Sequence, residues 1–262
     1  MDIYICTDLE GISGIYRKEQ VLSSCEQYRQ GRALLTREVN IAASACKAAG
    51  AGRVCVWDGH GGAPGNILYE EVSPDVDVLI QGQTRRRFPE IESYDAAIFL
   101  GYHAMAGTFG AVLEHSYSST SIQRLEVNGI PAGEILMDAA MMGEAGKPVI
   151  LVTGDDKCCA EARANIPGVC TAEVKRGLSS FGAALLPPAA AEAVLRKAVA
   201  EAVRNAGNMK PVTVSHPVTV RAELIERGQV PMEDVKPYLR RIDGRTYEVS
   251  GDTMEEAFWR IW

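Results

Sequence analysis

The chain has 262 residues, of which 47% are hydrophobic and 23% are charged. This balance is typical of a globular protein and excludes a disordered, collagen-like or membrane-embedded chain. With 27 basic and 34 acidic residues the formal charge is −7, so the positive surface that nucleic-acid binding requires is not indicated. We therefore expect small solutes or peptides as partners, no nucleic-acid or membrane partner, and a cytoplasmic location.

The cysteines favour a reduced protein. There are seven of them, an odd number, and several lie within apolar runs. This usage indicates buried thiols rather than a disulfide framework. The sequence contains no CxxC pair, which argues against a zinc site built from cysteines.

Short apolar runs alternate with longer amphipathic segments through the first 155 residues. The runs predict strands at 3–6, 54–57, 76–80, 96–100 and 149–152, and helical spacing predicts helices at 26–49 and 133–144. Asn128-Gly129 between apolar residues predicts a two-residue hairpin. Beyond Pro187-Pro188 we predict an Ala-rich helix to about 205, a strand-rich segment over 212–224 and a closing helix over 253–262.

This order of elements predicts an α/β fold. Near-continuous apolar strands need both faces covered, so we expect a mostly parallel mixed sheet with helices on both faces. The hairpin adds some antiparallel pairing. We predict a metal-binding catalytic domain over 1–185 and a smaller C-terminal α+β lobe over 186–262, a single domain being the alternative.

Four of the predicted strands run directly into polar residues. In open α/β sheets ligands bind outside the carboxyl ends of the strands, so these clusters are expected to converge on one crevice. The clusters are Thr7-Asp8-Leu9-Glu10-Gly11, Asp58-Gly59-His60, Gly101-Tyr102-His103 and Thr153-Gly154-Asp155-Asp156.

The residue types in these clusters point to a metal site. Asp8 and Glu10 lie two residues apart, so in extended backbone both point to the same side. Together with His60 and His103 they form a donor set of imidazole and carboxylate, which suits Zn, Mn or Fe better than Ca or Mg. The alternatives are that the histidines are structural and that Asp8 caps a turn before Gly11.

Further polar residues have several interpretations each. From spacing alone, His115 is a third ligand, a general base or a solvated loop residue. Glu134 is a ligand, or an acid favoured by the positive end of a helix. Asp58 is predicted to orient ligands or to anchor backbone. We assign no role to His216, and Arg85-Arg86-Arg87 indicates a solvated face or an intersubunit contact.

Taken in order, these motifs are specific as a set. The chain resembles the zinc D-aminopeptidases of the dipeptide-transport operon type, and the likeness runs nearly from end to end. It is carried by Cys6-x-Asp8-x-Glu10-Gly11, Asp58-x-His60, Gly101-Tyr102-His103-Ala104, His115-Ser116, Asn128-x-x-Pro131-x-Gly133-Glu134 and Gly154-Asp155-Asp156. The resemblance implies a two-zinc aminopeptidase for short peptides with an amino-terminal D-residue, assembled as a homodecamer around a central channel.

The resemblance also implies a role for each matching residue. Asp8 would bridge both zinc ions, His115 would be the catalytic residue outside the ligand set, and the remaining ligands would be Glu10, His60, His103 and Glu134. Two features depart from the family pattern: Cys6 stands where the family has Ser, and the interval from His103 to His115 is one residue longer.

The sequence leaves the chemistry of His115 open between general acid or base and nucleophile. Two other functions compete with the aminopeptidase. One is a metal-dependent hydrolase of a different amide or of a phosphoester, and the other is a non-catalytic protein that binds a small ligand.

Overall fold

The computed structural model describes residues 1–61, 65–232 and 236–262. Its strands are β1 (Ile3–Thr7), β2 (Val54–Asp58), β3 (Val78–Ile80), β4 (Ala96–Leu100), β5 (Ile122–Val127), β6 (Ile130–Ala132), β7 (Val149–Asp155), β8 (Cys170–Ser179), β9 (Gly182–Leu185), β10 (Val218–Leu224), β11 (Leu239–Arg241) and β12 (Thr246–Gly251). Its helices are α1 (Tyr28–Ala48), α2 (Glu134–Glu144), α3 (Asp156–Asn165), α4 (Pro188–Asn205) and α5 (Met254–Ile261). Among the residues described, no helix is long and apolar enough to cross a membrane.

Seven strands form the larger sheet, in the order β3-β2-β1-β4-β7-β8-β9. The first six are parallel, and β9 pairs antiparallel with β8. The predicted mostly parallel α/β sheet is therefore confirmed. Strands β1, β2 and β4 are buried at every position, which explains their unbroken apolar sequences.

Alternate residues of the central strands pack into two hydrophobic cores, one on each face of the larger sheet. Ile3 and Ile5 of β1 pack in a cluster with residues of α1 and α4 on one face of the sheet. Tyr4 and Cys6 belong to a second cluster, which includes residues of α2 and α3 and of the smaller sheet. Helices thus cover both faces, as the apolar strands predict.

The smaller sheet is antiparallel, in the order β11-β12-β10-β5-β6. The predicted hairpin connects β5 and β6, and both of its turn residues, Asn128 and Gly129, have positive φ, which is the conformation that a two-residue turn favours. Helix α2 follows β6 after one residue. The hairpin therefore determines where the first turn of α2 meets the larger sheet.

The two sheets combine distant parts of the chain. Strands β5 and β6 share the smaller sheet with β10, β11 and β12, and α4 packs against α1 and β8. The division into 1–185 and 186–262 stays a prediction about independent folding. Several elements were not predicted from the sequence: α3, β8, β9, β11 and β12.

Close backbone packing fixes the carboxyl ends of β1 and β4 against each other. The Gly11 N–H donates to the carbonyl of Gly101 at 2.7 Å. A Cβ on Gly11 would lie 1.9 Å from the Tyr102 oxygen, and Gly101 has a φ of +76° with the Asp8 oxygen only 2.4 Å from the position of a Cβ. Both positions require glycine, because any side chain there would push apart the loops that follow the two strands.

Candidate metal centre

Three neighbouring strands deliver four of the predicted site residues to one edge of the larger sheet. Asp8 and Glu10 follow β1, His60 follows β2 and His103 follows β4, and these strands are adjacent in the order β2-β1-β4. The fifth residue, Glu134, is the first residue of α2, whose apolar residues pack in the cluster that contains Tyr4 and Cys6. The cluster therefore lies where the edge of the larger sheet meets the helix that follows the hairpin.

Asp8 lies between two imidazoles. Its Oδ1 is 2.9 Å from Nδ1 of His60, and its Oδ2 is 3.2 Å from Nε2 of His103. Each imidazole also faces a second carboxylate: His60 Nδ1 is 3.1 Å from Oε2 of Glu10, and His103 Nε2 is 3.1 Å from Oε1 of Glu134. The contacts form two groups that share Asp8: Asp8, Glu10 and His60, here called the first half-site, and Asp8, His103 and Glu134, here called the second half-site.

Backbone carbonyls orient all three histidines at this edge. His60 contacts the carbonyl of Val21 through Nε2 at 3.3 Å, His103 that of Ala104 through Nδ1 at 3.0 Å, and His115 that of Leu113 through Nδ1 at 2.9 Å. A carbonyl can only accept, so each of these nitrogens carries a proton. In the neutral imidazole the opposite nitrogen then offers its lone pair, which is the usual arrangement of a metal-binding histidine.

The cluster contains buried polar atoms without hydrogen-bond partners among the described residues. They are Oδ2 of Asp8, Oε2 of Glu10 and Nε2 of His103. Each of these atoms lies 3.1 or 3.2 Å from an oppositely charged neighbour without the geometry of a hydrogen bond, which is how ligand atoms directed at a shared cation are arranged. Ligand atoms of Asp8, Glu10 and His103 lie within 4.8 Å of one another, as do those of His103, His115 and Glu134. These residues fit a centre of divalent cations bound by nitrogen and oxygen.

The electrostatics of the cluster also favour positive charge. Burial opposes ionisation of Asp8, but the imidazoles of His103 and His60 hold the pKa of this carboxyl well below its usual range. Burial likewise opposes a charged imidazole, yet Glu10 and Asp8 raise the pKa of His60, and Glu134 and Asp8 raise the pKa of His103, well above the usual value. A bound cation can take the place of these imidazole protons.

His115 lies beside the second half-site. Its ring stacks on that of His103, with the ring centres 4.1 Å apart and the planes 11° from parallel. Its Nε2 is 3.7 Å from Oε1 of Glu134, which is longer than the distances within the cluster. His115 is therefore close enough to act at the centre while standing outside the five-residue cluster.

A cavity of about 780 Å³ opens over the cluster. Its floor contains Asp8, Glu10, His60, His115 and Glu134, and an aromatic wall stands beside them, formed by Tyr117, Phe258 and Trp262. This volume is in the range of pockets that bind small ligands. The candidate metal-binding residues are thus accessible to a small molecule.

Asp58 at the end of β2 and Asp155 at the end of β7 hydrogen-bond the backbone near the site. Asp58 accepts hydrogen bonds from Asn66 N, Asn66 Nδ2, Ile67 N and Gln81 Nε2, so it anchors the backbone at the end of the loop that carries His60. Asp155 caps α3 and accepts the Val112 N–H. Neither belongs to the cluster. His216 also lies apart, with its Nδ1 2.8 Å from the carbonyl of Asp252.

The expectation of a solvated face for the arginine run is wrong for Arg87, while an intersubunit contact of this run stays a prediction. This side chain is mostly buried and forms an ion pair with Asp138, with Nη2 2.9 Å from Oδ2. Asp138 also accepts the hydroxyl protons of Tyr102 and Tyr117, each at 2.8 Å. Asp138 is thus the centre of a buried hydrogen-bond network beside the cavity. The three consecutive arginines in the sequence do not predict this network.

A buried acid, Glu161 of α3, supports the segment that follows His103. Its Oε2 accepts the Met105 N–H at 2.7 Å, and its Oε1 has no hydrogen-bond partner among the described residues. Burial raises the pKa of Glu161 to about 7. The sequence offered no signal for this residue, because the contact joins positions 56 residues apart.

Known proteins match the chain over nearly its whole length. The profile of a peptidase family, M55, described as D-aminopeptidase, matches residues 1–262. A D-aminopeptidase from Bacillus subtilis strain 168 is 34% identical over 241 residues, which cover 90% of this chain and 86% of the relative. The solved structure of the Zn-dependent D-aminopeptidase DppA from Bacillus subtilis, a self-compartmentalizing protease, matches with a TM-score of 0.92 and 31% identity, covering 100% of this chain and 95% of that one.

We expect the unfolding free energy of Glu161→Gln, measured relative to that of the wild type, to increase as the pH rises. In the unfolded chain Glu161 ionises near its ordinary pKa of 4.5, whereas in the folded protein it stays protonated up to about pH 7. Between these values unfolding releases a proton, so wild-type stability falls with rising pH, by up to about 3 kcal/mol above pH 7. Glutamine keeps an oxygen for the Met105 N–H but does not titrate.

Urea unfolding of the chelator-treated proteins at pH 5 and pH 8 measures this effect. The difference in unfolding free energy between variant and wild type should be larger at pH 8. The same difference at both pH values would contradict a buried, protonated Glu161.

Proposed function

The chain belongs to the M55 peptidase family of D-aminopeptidases, and we propose that it is a zinc-dependent enzyme that cleaves short peptides with an amino-terminal D-residue. The family and the zinc-dependent relative provide the class of reaction. The observation that carries the proposal is the position of Asp8 between His60 and His103, with buried carboxylate and imidazole atoms on both sides that make no hydrogen bond among the described residues. The cavity above this cluster has room for a short peptide.

We assign two zinc ions per chain to the two half-sites. Asp8, Glu10 and His60 would hold one ion, and Asp8, His103 and Glu134 the other. When bound, zinc polarises a peptide carbonyl and lowers the pKa of water. The three carboxylates bring three negative charges to two divalent ions, which leaves net positive charge for substrate and water. With neutral histidines one zinc ion would leave the cluster with a net negative charge, which disfavours an attacking hydroxide, whereas two ions leave a net positive charge.

His115 is the proposed catalytic residue. Its Nδ1–H is held by the carbonyl of Leu113, so the lone pair of a neutral imidazole lies on Nε2, 3.7 Å from Glu134. In this tautomer Nε2 can accept a proton from the attacking group and return it to the leaving amine. The same lone pair could attack the carbonyl directly, and both roles need His115 beside the metal ligands rather than among them.

The proposed assembly is a homodecamer in the cytoplasm. The relative of known structure is a self-compartmentalizing protease, and the seven cysteines are free, which is usual for proteins in a reducing compartment. A patch of exposed apolar side chains supports self-association: Phe109 is 98% exposed, Phe181 65% and Leu178 56%. Phe181 also lines the cavity, so a neighbouring copy on this patch would border the entrance.

We expect His60→Ala and His103→Ala each to lose zinc and peptide hydrolysis together. Each substitution removes one imidazole from a half-site and leaves its carboxylates without that partner. Zinc per chain is measured by elemental analysis, and hydrolysis is measured on matched D- and L-aminoacyl peptides. The control is His216→Ala, which removes a histidine outside the cluster and should retain both.

Retained hydrolysis after the loss of zinc would contradict the proposal. Turnover of a phosphoester but of no peptide would assign the centre to a different hydrolase. Tightly held zinc without turnover of any amide would identify a binding protein instead of an enzyme.

His115→Ala should keep two zinc ions but lose activity by about 100-fold or more in kcat, because proton transfer by a positioned imidazole contributes at least that much. Zinc content and kcat are measured on the same preparation. If one zinc ion is lost with the imidazole, His115 is a ligand and its assignment as a separate catalytic residue is wrong.

The wild type should sediment as ten copies of the 28.3 kDa chain. Replacing Phe109 and Phe181 by Asp places charge on the apolar patch and should shift the protein to smaller species. Tyr69→Ser, at an exposed aromatic residue outside the patch, is the control and should not change the assembly. A wild-type monomer would contradict the decamer, and an unchanged decamer in the double variant would contradict the role of the patch.

A further inference from the structure

A buried lysine lies beneath the loop that carries Glu10. Lys175 is on β8, and it is only 2% exposed. Its Nζ donates to three backbone carbonyls, those of Glu10 at 2.5 Å, Ile12 at 2.9 Å and Ile15 at 2.8 Å. An ammonium group has three N–H donors, so every one of them is used by this loop.

The arrangement differs from an ordinary buried ion pair. Among the described residues, no carboxylate oxygen forms a salt bridge with Lys175, and its partners are all main-chain oxygens of the segment 10–15. Burial lowers the pKa of Lys175 to about 8, and the charges of Asp155, Glu38 and Glu10 offset part of this effect. Burying an ammonium group is costly unless its hydrogen bonds are satisfied. The three N–H groups keep these hydrogen bonds while the loop holds its present conformation.

The three carbonyls define the backbone path just after the metal ligands. The register of β1 with its neighbouring strands ends at Thr7, and the Asp8 N–H still bonds the Leu100 carbonyl at 2.8 Å, so Glu10 is the first metal-ligand candidate beyond the strand contacts. Other contacts hold neighbouring points of the loop: the Gly11 N–H bonds the Gly101 carbonyl, and the Ser13 N–H bonds Oε1 of Glu38 at 2.8 Å. Lys175 is the side chain that bonds the Glu10 main chain itself, opposite the carboxylate that faces His60.

The second half-site is held by different groups. Glu134 accepts the Tyr117 N–H at 2.7 Å, and His103 is oriented by the carbonyl of Ala104. None of the three carbonyls that Lys175 bonds belongs to this half-site. A change at Lys175 should therefore act on the two halves of the cluster unequally.

We propose that Lys175 is a positioning residue for the half-site formed by Asp8, Glu10 and His60, and that it sets the zinc affinity of this half-site by fixing the main chain at Glu10. The proposal rests on the proposed two-zinc centre. Removing the ammonium group takes this donor from the Glu10 and Ile15 carbonyls and leaves the Ile12 carbonyl with the Ile15 N–H alone, so the loop should relax and Glu10 should lose its alignment with His60. Changes to groups that orient metal ligands typically weaken metal binding by about 10-fold to 100-fold.

The test compares Lys175→Met with the wild type in zinc binding. Met has a similar length but no donors. Titration of the metal-free proteins against a chromophoric chelator gives the dissociation constant of each zinc ion. We expect one constant to rise by about 10-fold or more while the other stays within about threefold of the wild type. Saturating zinc should then restore most of kcat, because the variant keeps His115 and the second half-site.

The matched control is Lys157→Met. Lys157 also donates its Nζ to a main-chain carbonyl, that of Gly177 at 2.6 Å, and it forms an ion pair with Asp156 at 2.9 Å; among the described residues its Nζ forms no hydrogen bond to the segment 10–15. The Lys157→Met variant should bind both zinc ions with the dissociation constants of the wild type. If Lys175→Met does not fold, as judged by circular dichroism, Lys175→Gln is used in its place, since it keeps a shorter neutral donor and should show the same unequal loss.

Three results would overturn the proposal: two unchanged zinc constants in a folded variant, equal weakening of both, or failure of both variants to fold. Equal weakening or failure to fold would mean that Lys175 supports the fold as a whole. A wild type that binds no zinc, or only one ion per chain, would instead refute the two-zinc centre, so the two failures are distinguishable.

Discussion

Three carboxylates and two imidazoles meet at one edge of the larger sheet, and this concentration of buried charge constrains the structure around it. Asp8 satisfies both imidazoles at once, because its two oxygens face His60 and His103 separately. The neighbouring carboxylates, Glu10 and Glu134, would repel Asp8 without the positive charge between them. The cluster is therefore stable only as a set, with protons or cations placed between the acids.

The groups that hold this set come from distant parts of the chain and use different chemistry. Lys175 bonds main-chain oxygens after β1, Glu161 bonds the Met105 N–H after β4, and Asp138 holds Arg87 and two tyrosines at the cavity wall. Each is a charged or titratable side chain that is buried, which is costly in an ordinary core. These buried charged and titratable side chains lie close to the same edge of the sheet. This indicates that they position the candidate ligands at a cost in folding stability.

Much of the fold could be predicted from local pattern, because the strands of the parallel sheet are unbroken apolar runs and α1 and α4 have clear helical spacing. The ligand candidates were also visible, since polar residues directly follow β1, β2 and β4. The partners of Lys175, Asp138 and Glu161 could not be read in this way, as their contacts depend on tertiary packing. Arg87 shows the difficulty best: three consecutive arginines suggest solvent, but only the folded chain places one of them on a buried acid.

Helix α2 connects the proposed metal ligand Glu134 to His115 through one tyrosine, Tyr117. Glu134 and Asp138 are four residues apart and so lie on the same face of the helix. Glu134 accepts the main-chain N–H of Tyr117, and Asp138 accepts its hydroxyl proton. These two bonds hold Tyr117 at a φ of +57°, an uncommon conformation for a residue with a side chain. His115 is two residues earlier on the same loop, so the helix that supplies a ligand also fixes the distance of the imidazole from it.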